Sequence, residues 1–133
     1  MASIRKDIHL DTSAEHAWAA LRDFGAVHQR LAPGFVVDAR LDTPTSRVVT
    51  FFDARTAREL LVTCDDAARR LVYSIVGGRL THHNASAQVF AEGDGQCRFV
   101  WSADLLPDEL APAIDAMMAR GAEVMKQALE ASA

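Results

Sequence analysis

Tyr73-Ser-Ile-Val-Gly-Gly-Arg-Leu-Thr-His-His-Asn-Ala-Ser-Ala-Gln88 is the stretch on which the reading of this chain turns. Tyr73 to Val76 has the composition of a buried strand, Gly77-Gly78 breaks it, and extended structure resumes at Asn84 with a polar residue at every second position. In a strand of period two, Asn84, Ser86 and Gln88 share one face, and Ala85, Ala87 and Val89 share the other. An inward polar face lines a cavity, whereas an outward one is a solvated surface. The spacing leaves both open.

Hairpins extend from this stretch in both directions. Upstream, Phe35 to Asp42, Arg47 to Asp53, Arg58 to Cys64 and Arg70 to Val76 are strands two to five, separated by turns such as Thr43-Pro44-Thr45-Ser46 and Asp65-Asp66-Ala67-Ala68. Downstream, the sixth strand runs from about Asn84 to Ala91, and Gly93-Asp94-Gly95 makes a tight turn. The seventh carries an apolar face of Cys97, Phe99, Trp101, Ala103 and Leu105. Consecutive hairpins of this kind make an antiparallel sheet.

Helices flank the sheet. After a first strand near Ile4 to Asp11, Thr12-Ser13-Ala14-Glu15 has the form of a capping box with Thr12 as its cap. Ala14, Ala17, Trp18 and Leu21 follow at helical spacing, and a second short helical segment covers about Ala26 to Leu31 before Pro33-Gly34. At the other end Leu110, Ile114, Met117, Met118, Gly121, Val124, Met125 and Leu129 keep one stripe apolar for about five turns, with Pro112 confined to the first turn. A fully buried Ile, Leu or Met there contributes about 1.5–3 kcal/mol before entropy is counted. The three methionines could also repack around a bound apolar molecule.

Bulk properties narrow the function. With 133 residues and a net charge of −4, the chain is expected to be one domain, 1–133, and it has no basic cluster suited to nucleic acid. There is no apolar run of the about 18 residues that membrane insertion needs, so a cytoplasmic protein, monomer or homodimer, is expected. Cys64 and Cys97 have no paired spacing and are expected to be small buried hydrophobes. His82 and His83 point to opposite sides of extended chain, and no other spacing suggests a metal, so neither metal nor cofactor is expected.

In order and spacing, Ala17-Trp18-Ala19-Ala20-Leu21 with Asp23-Phe24, Arg47, Glu59-Leu60, Asp65, Tyr73, Trp101 and Pro107 resemble the START-like or SRPBCC superfamily, in particular its polyketide cyclase/dehydrase and lipid transport group. The likeness covers nearly the whole chain. It implies an α+β helix-grip fold: a curved seven-stranded antiparallel sheet wrapped around a long C-terminal helix, with two short helices between strands one and two. Arg58 to Ser86 is also similar to the corresponding part of plant abscisic-acid receptors, where positions matching Glu59, Tyr73, Asn84 and Ser86 face the ligand and the loop matching Arg79-Leu80-Thr81 closes over it. That resemblance implies an inward polar face on the sixth strand.

Glu59 is the sharpest chemical candidate. Its strand is apolar on both faces, so period alone leaves open whether Glu59, Leu61 and Thr63 or Leu60 and Val62 point inward. If inward, the carboxyl would sit in an apolar cup suited to proton transfer. Two functions are then expected. In the first, a cavity binds a small hydrophobic or aromatic molecule, lipid- or polyketide-like, through Glu59, Tyr73, His83, Asn84, Ser86, Gln88, Trp101 and Met118. In the alternative, a polyketide cyclase, aromatase or dehydratase uses Glu59 as general acid or base. A third possibility is a domain that only interacts with other proteins, its cavity filled by side chains such as Phe51, Phe52, Phe90, Phe99 and Trp101.

Overall fold

The structure is a computed structural model and describes residues 1–133. Seven strands, β1 (Ala2–Leu10), β2 (Val36–Thr43), β3 (Ser46–Phe51), β4 (Thr56–Asp65), β5 (Arg70–Val76), β6 (His82–Ala91) and β7 (Cys97–Leu106), form one antiparallel sheet in the order β1-β7-β6-β5-β4-β3-β2. Each hairpin pairs a strand with its successor, and β1 joins β7 at the far edge. The chain must therefore cross from one edge to the other between β1 and β2. It does so through α1 (Ala14–Arg22), a 3₁₀ turn (Phe24–Ala26) and a five-residue π turn (Val27–Leu31). The long helix α2 (Ala111–Ala131) closes the chain, with Pro112 in its first turn where no intrahelical donor is lost. This is the helix-grip arrangement.

Local chemistry moves the start of α1. Ser13, one residue after the expected Thr12, caps α1, accepting a hydrogen bond from the His16 N–H at 3.1 Å. Glu15 lies in the first turn and pairs with Arg69 at 3.0 Å rather than folding back on the cap. The Trp18 ring is buried, and its Nε1 donates to Asp66 at 2.9 Å, as does Nε of Arg22 at 2.8 Å, which ties α1 to the β4–β5 turn.

α2 crosses the concave face over β1. Lys6, the polar interruption of β1's apolar face, reaches Asp115, while Lys126 donates to the His9 carbonyl at 2.7 Å and Glu130 accepts from the Asp11 N–H at 2.8 Å. Gly121 marks the closest approach: a Cβ there would lie 3.0 Å from the Phe35 ring and 3.2 Å from the Trp101 ring. Met118, Gly121, Met125 and Leu129 are buried, whereas Leu110, just before the helix, and Ile114 and Met117 in its first turns are only partly so. The helix thus packs tightly at its C-terminal half. β2 and β4 carry register shifts between Val36 and Asp38, Leu41 and Thr43, and Leu61 and Thr63, which bend the sheet. Space remains between the β3–β5 side and the first half of α2.

Two expectations fail at the surface. Cys97 is buried, but Cys64 is exposed, because it falls past the β4 bulge, where the strand leaves the core. Phe52 and Phe90 are also exposed and fill no interior space.

Candidate functional site

A cavity of about 680 Å³ occupies that space, and 25 of its 34 lining residues are hydrophobic. Its walls come from the inner faces of β3, β4, β5 and β7, its roof from Leu110, Ile114, Met117 and Met118, and its rim from the β3–β4 turn and the Gly77–Leu80 loop. Phe51, Phe99 and Trp101 line it without filling it. The interior polar groups are few and specific.

Arg47 and Glu59 are directly opposed across β3 and β4, and both point inward. They are 6% and 5% exposed. Nε and Nη2 of Arg47 approach the same carboxylate oxygen, Oε1, at 2.8 and 2.7 Å. Nη1 donates to the Phe24 carbonyl at 2.9 Å, and the guanidinium lies 3.8 Å above the Phe24 ring. Arg47 therefore joins two strands to the 3₁₀ turn after α1, while Glu59 Oε2 takes no hydrogen bond from the protein. The inward placement of Glu59 agrees with the expectation, but the lone acid in an apolar cup is corrected. Its charge is matched by Arg47, as burial of an ion requires.

Tyr73 lies on β5 beside this pair. Its hydroxyl oxygen accepts from Nε1 of Trp101 at 3.1 Å, which leaves its own proton free to donate into the cavity. Burial first, and the Glu59 charge second, push this hydroxyl above its ordinary titration range, so it stays neutral. Trp101 thus orients a donor while forming wall.

His83 sits where β5 and β6 separate. The ladder between them ends at Tyr73 and Ala85, and beyond it the His83 imidazole stands in for the missing backbone partner: its Nδ1 accepts from the Ile75 N–H at 3.0 Å. Ser74 Oγ donates to the His83 carbonyl at the same point. An Nδ1 that accepts is unprotonated, so the ring is neutral with its proton on Nε2. Burial, with His82 as a lesser cause, lowers the His83 pKa to about 4. Between pH 6.5 and 4 the unfolded chain then binds a proton that the folded one does not. Stability at this site is complete above about pH 6.5 and is lost as pH falls toward 4. Urea midpoints across that range should fall with pH in the native protein and fall less in His83→Gln; parallel slopes would remove His83 as the source.

The sixth-strand expectation is corrected. Ala85, Ala87 and Val89 are buried, so Asn84, Ser86 and Gln88 occupy the outer face and line no part of the cavity. Ser86 meets the Ser102 hydroxyl at 3.3 Å across β6 and β7, and Gln88 donates to the Ala68 carbonyl at 3.1 Å. Their physical reason lies in β7, whose apolar inner face puts Phe99 opposite Val89, Trp101 opposite Ala87 and Ala103 opposite Ala85. Glu59, Tyr73, His83, Trp101 and Met118 all lie on the cavity wall. Sequence reasoning noted Arg47 but gave it no role in the site. The signal was its place in the hairpin opposite Glu59.

No group of His, Cys, Asp and Glu side chains is arranged to hold a metal ion. No helix is long and apolar enough to cross a membrane. Fold and cavity together define a helix-grip protein. The chain belongs to the polyketide cyclase/dehydrase and lipid transport family, whose model matches residues 1–132. It is similar in structure to an uncharacterized protein from Bacillus thuringiensis, with 20% identity, 96% of this chain and 98% of that chain covered, and a TM-score of 0.85. A protein of Thermobifida fusca is 27% identical over 98% of this chain and 91% of its own, with a TM-score of 0.78. Norcoclaurine synthase from Thalictrum flavum, in complex with dopamine and hydroxybenzaldehyde, is 17% identical over 95% of this chain and 84% of its own, with a TM-score of 0.72. Among curated proteins no sequence matches.

Proposed function

We propose that the chain binds a small hydrophobic or aromatic molecule, lipid- or polyketide-like, between its sheet and α2. The observation that carries this reading is the cavity of about 680 Å³, apolar over most of its wall and polar only at a few fixed groups. That is the combination by which a pocket gains affinity from apolar area and orientation from a few hydrogen bonds. The Tyr73 hydroxyl and His83 Nε2–H supply donors, and the unoccupied lone pairs of Glu59 Oε2 supply an acceptor. A ligand with a carbonyl or phenol group would use them. Native mass spectrometry of the purified protein, followed by calorimetric titration with decanamide and 2-naphthamide, tests the reading. A retained molecule or micromolar binding supports it; an empty protein that binds neither amide overturns it.

The second reading is a cyclase- or dehydratase-type enzyme. It is favoured by the Glu59 carboxylate and the Tyr73 donor facing one cavity, because a base near a carbonyl-polarising hydroxyl can enolise a poly-β-ketone. Here Glu59 would take a proton from the activated carbon and Tyr73 would donate a hydrogen bond to the carbonyl oxygen. Tyr73→Phe keeps the ring and the ion pair while removing the donor. For an enzyme, turnover of a poly-β-ketone should fall by about 10²-fold with the fold intact; no turnover by the native chain sinks this reading and leaves the binding one.

A further inference from the structure

The rim of the cavity differs in charge from the rest of the molecule. The chain carries a net charge of −4, yet the lining holds four arginines against one glutamate, and that glutamate is the partner of Arg47. Arg58 lines the opening but turns its guanidinium to Asp42 at 2.7 Å and to the Ser46 hydroxyl. One guanidinium at the mouth, that of Arg79, has no ion-pair partner, and a second, that of Arg55, is paired only within its own turn. Arg55, on the β3–β4 turn, reaches over to the Met117 sulfur of α2 at 3.7 Å, and only Asp53 of its own turn, at 2.7 Å, offsets it. Arg79, on the Gly77–Leu80 loop that lines the same opening, is exposed and enters no ion pair.

We infer that the ligand of this cavity is an anionic amphiphile: an apolar or aromatic body held inside, with a carboxylate at the mouth that Arg79 and Arg55 bind. The inference rests on the binding reading above and specifies its ligand class. A neutral apolar ligand would cover the rim and use neither cation. A carboxylate suits the planar fork of a guanidinium, which can donate two parallel hydrogen bonds. Placed at the mouth, the charge keeps contact with water, so its burial cost stays small while the body gains from apolar contact. The field of a negatively charged protein repels anions at long range, so a local cationic rim changes which ligands approach this opening.

The test compares acids with their uncharged primary amides of nearly equal shape: decanoate with decanamide, and 2-naphthoate with 2-naphthamide, by isothermal titration calorimetry. At low salt each acid should bind about tenfold more tightly than its amide, and added salt should narrow the gap. Arg79→Gln, a change on an exposed loop, should bring the acid's affinity down toward the amide's. Equal affinity of acid and amide in the native protein overturns the inference while leaving the binding reading intact. The same holds if Arg79→Gln weakens acid and amide by one common factor. Binding of neither acid nor amide overturns both.

Discussion

Glu59→Leu should destabilise the protein by about 3–5 kcal/mol, more than the loss of one surface charge could explain. The reason is the residue left behind. Arg47 would keep its Phe24 carbonyl and ring contacts but lose the carboxylate 2.7 Å away, so a buried guanidinium would stay in the wall without a counter-charge. The double variant Arg47→Met with Glu59→Leu should recover most of that stability, because two apolar side chains of similar volume remove both desolvation costs together. Urea denaturation of the two single variants and the double provides the cycle. Additive losses would mean that the pair acts as two independent residues, and an unchanged midpoint in Glu59→Leu would show that cavity water solvates Arg47. The same cycle bears on function. If the double variant is stable but has lost affinity for 2-naphthamide, the pair serves the ligand as well as the fold.

The ion pair was hidden in the sequence for a geometric reason. Arg47 meets Glu59 only because the β3–β4 turn is centred on Asp53, with Thr50 opposite Thr56 and Ala54 at φ 71°. Phe52-Asp53-Ala54 contains neither Gly nor Pro, and its one turn former, Asp53, whose carboxylate accepts from the Arg55 N–H at 3.2 Å, was drawn into the third strand, which shifts the register. At β6 the opposite happened. Gly93-Asp94-Gly95 marked its turn clearly, and pairing outward from Asp94 places Val89 against Phe99. Since the seventh strand's apolar face was unambiguous, that register assigns Ala85 and Ala87 inward. Alanine against asparagine and serine offers little hydrophobic contrast, and the likeness to hormone receptors implied the other face. Strands with strong contrast, such as β7, and the apolar stripe of α2 were legible because burial free energy depends on apolar area. His83 could not be placed from spacing, since its orientation depends on where the β5–β6 ladder opens.

These corrections concentrate the interior polar chemistry on fewer residues than expected. With Asn84, Ser86 and Gln88 on the outer face, the inner groups reduce to Arg47–Glu59, Tyr73 held by Trp101, and His83 held by the Ile75 amide. Each already has a protein partner that fixes its orientation, which lowers the entropy lost when a ligand binds. The apolar remainder lets different bodies fit, while the fixed donors select where their oxygen atoms lie.

The second large effect separates the two halves of α2. Leu129→Ala should cost about 2–5 kcal/mol, because Leu129 is fully buried where the helix packs on the sheet and truncation leaves a void there. Ile114→Ala should cost about 1 kcal/mol, since that side chain is only partly buried and its neighbour is the open cavity. Ligand affinity should show the reverse order. Ile114 forms part of the roof, so its loss removes apolar contact with 2-naphthamide, whereas Leu129 lies outside the lining. Paired urea and calorimetric measurements on the two variants decide the matter. Equal stability losses would mean that the roof is as tightly packed as the rest of the helix. Such packing would leave no room for a ligand of the size proposed. The reverse order would identify the C-terminal half of α2 as the anchor and its first half as a roof whose incomplete packing leaves room for a bound molecule.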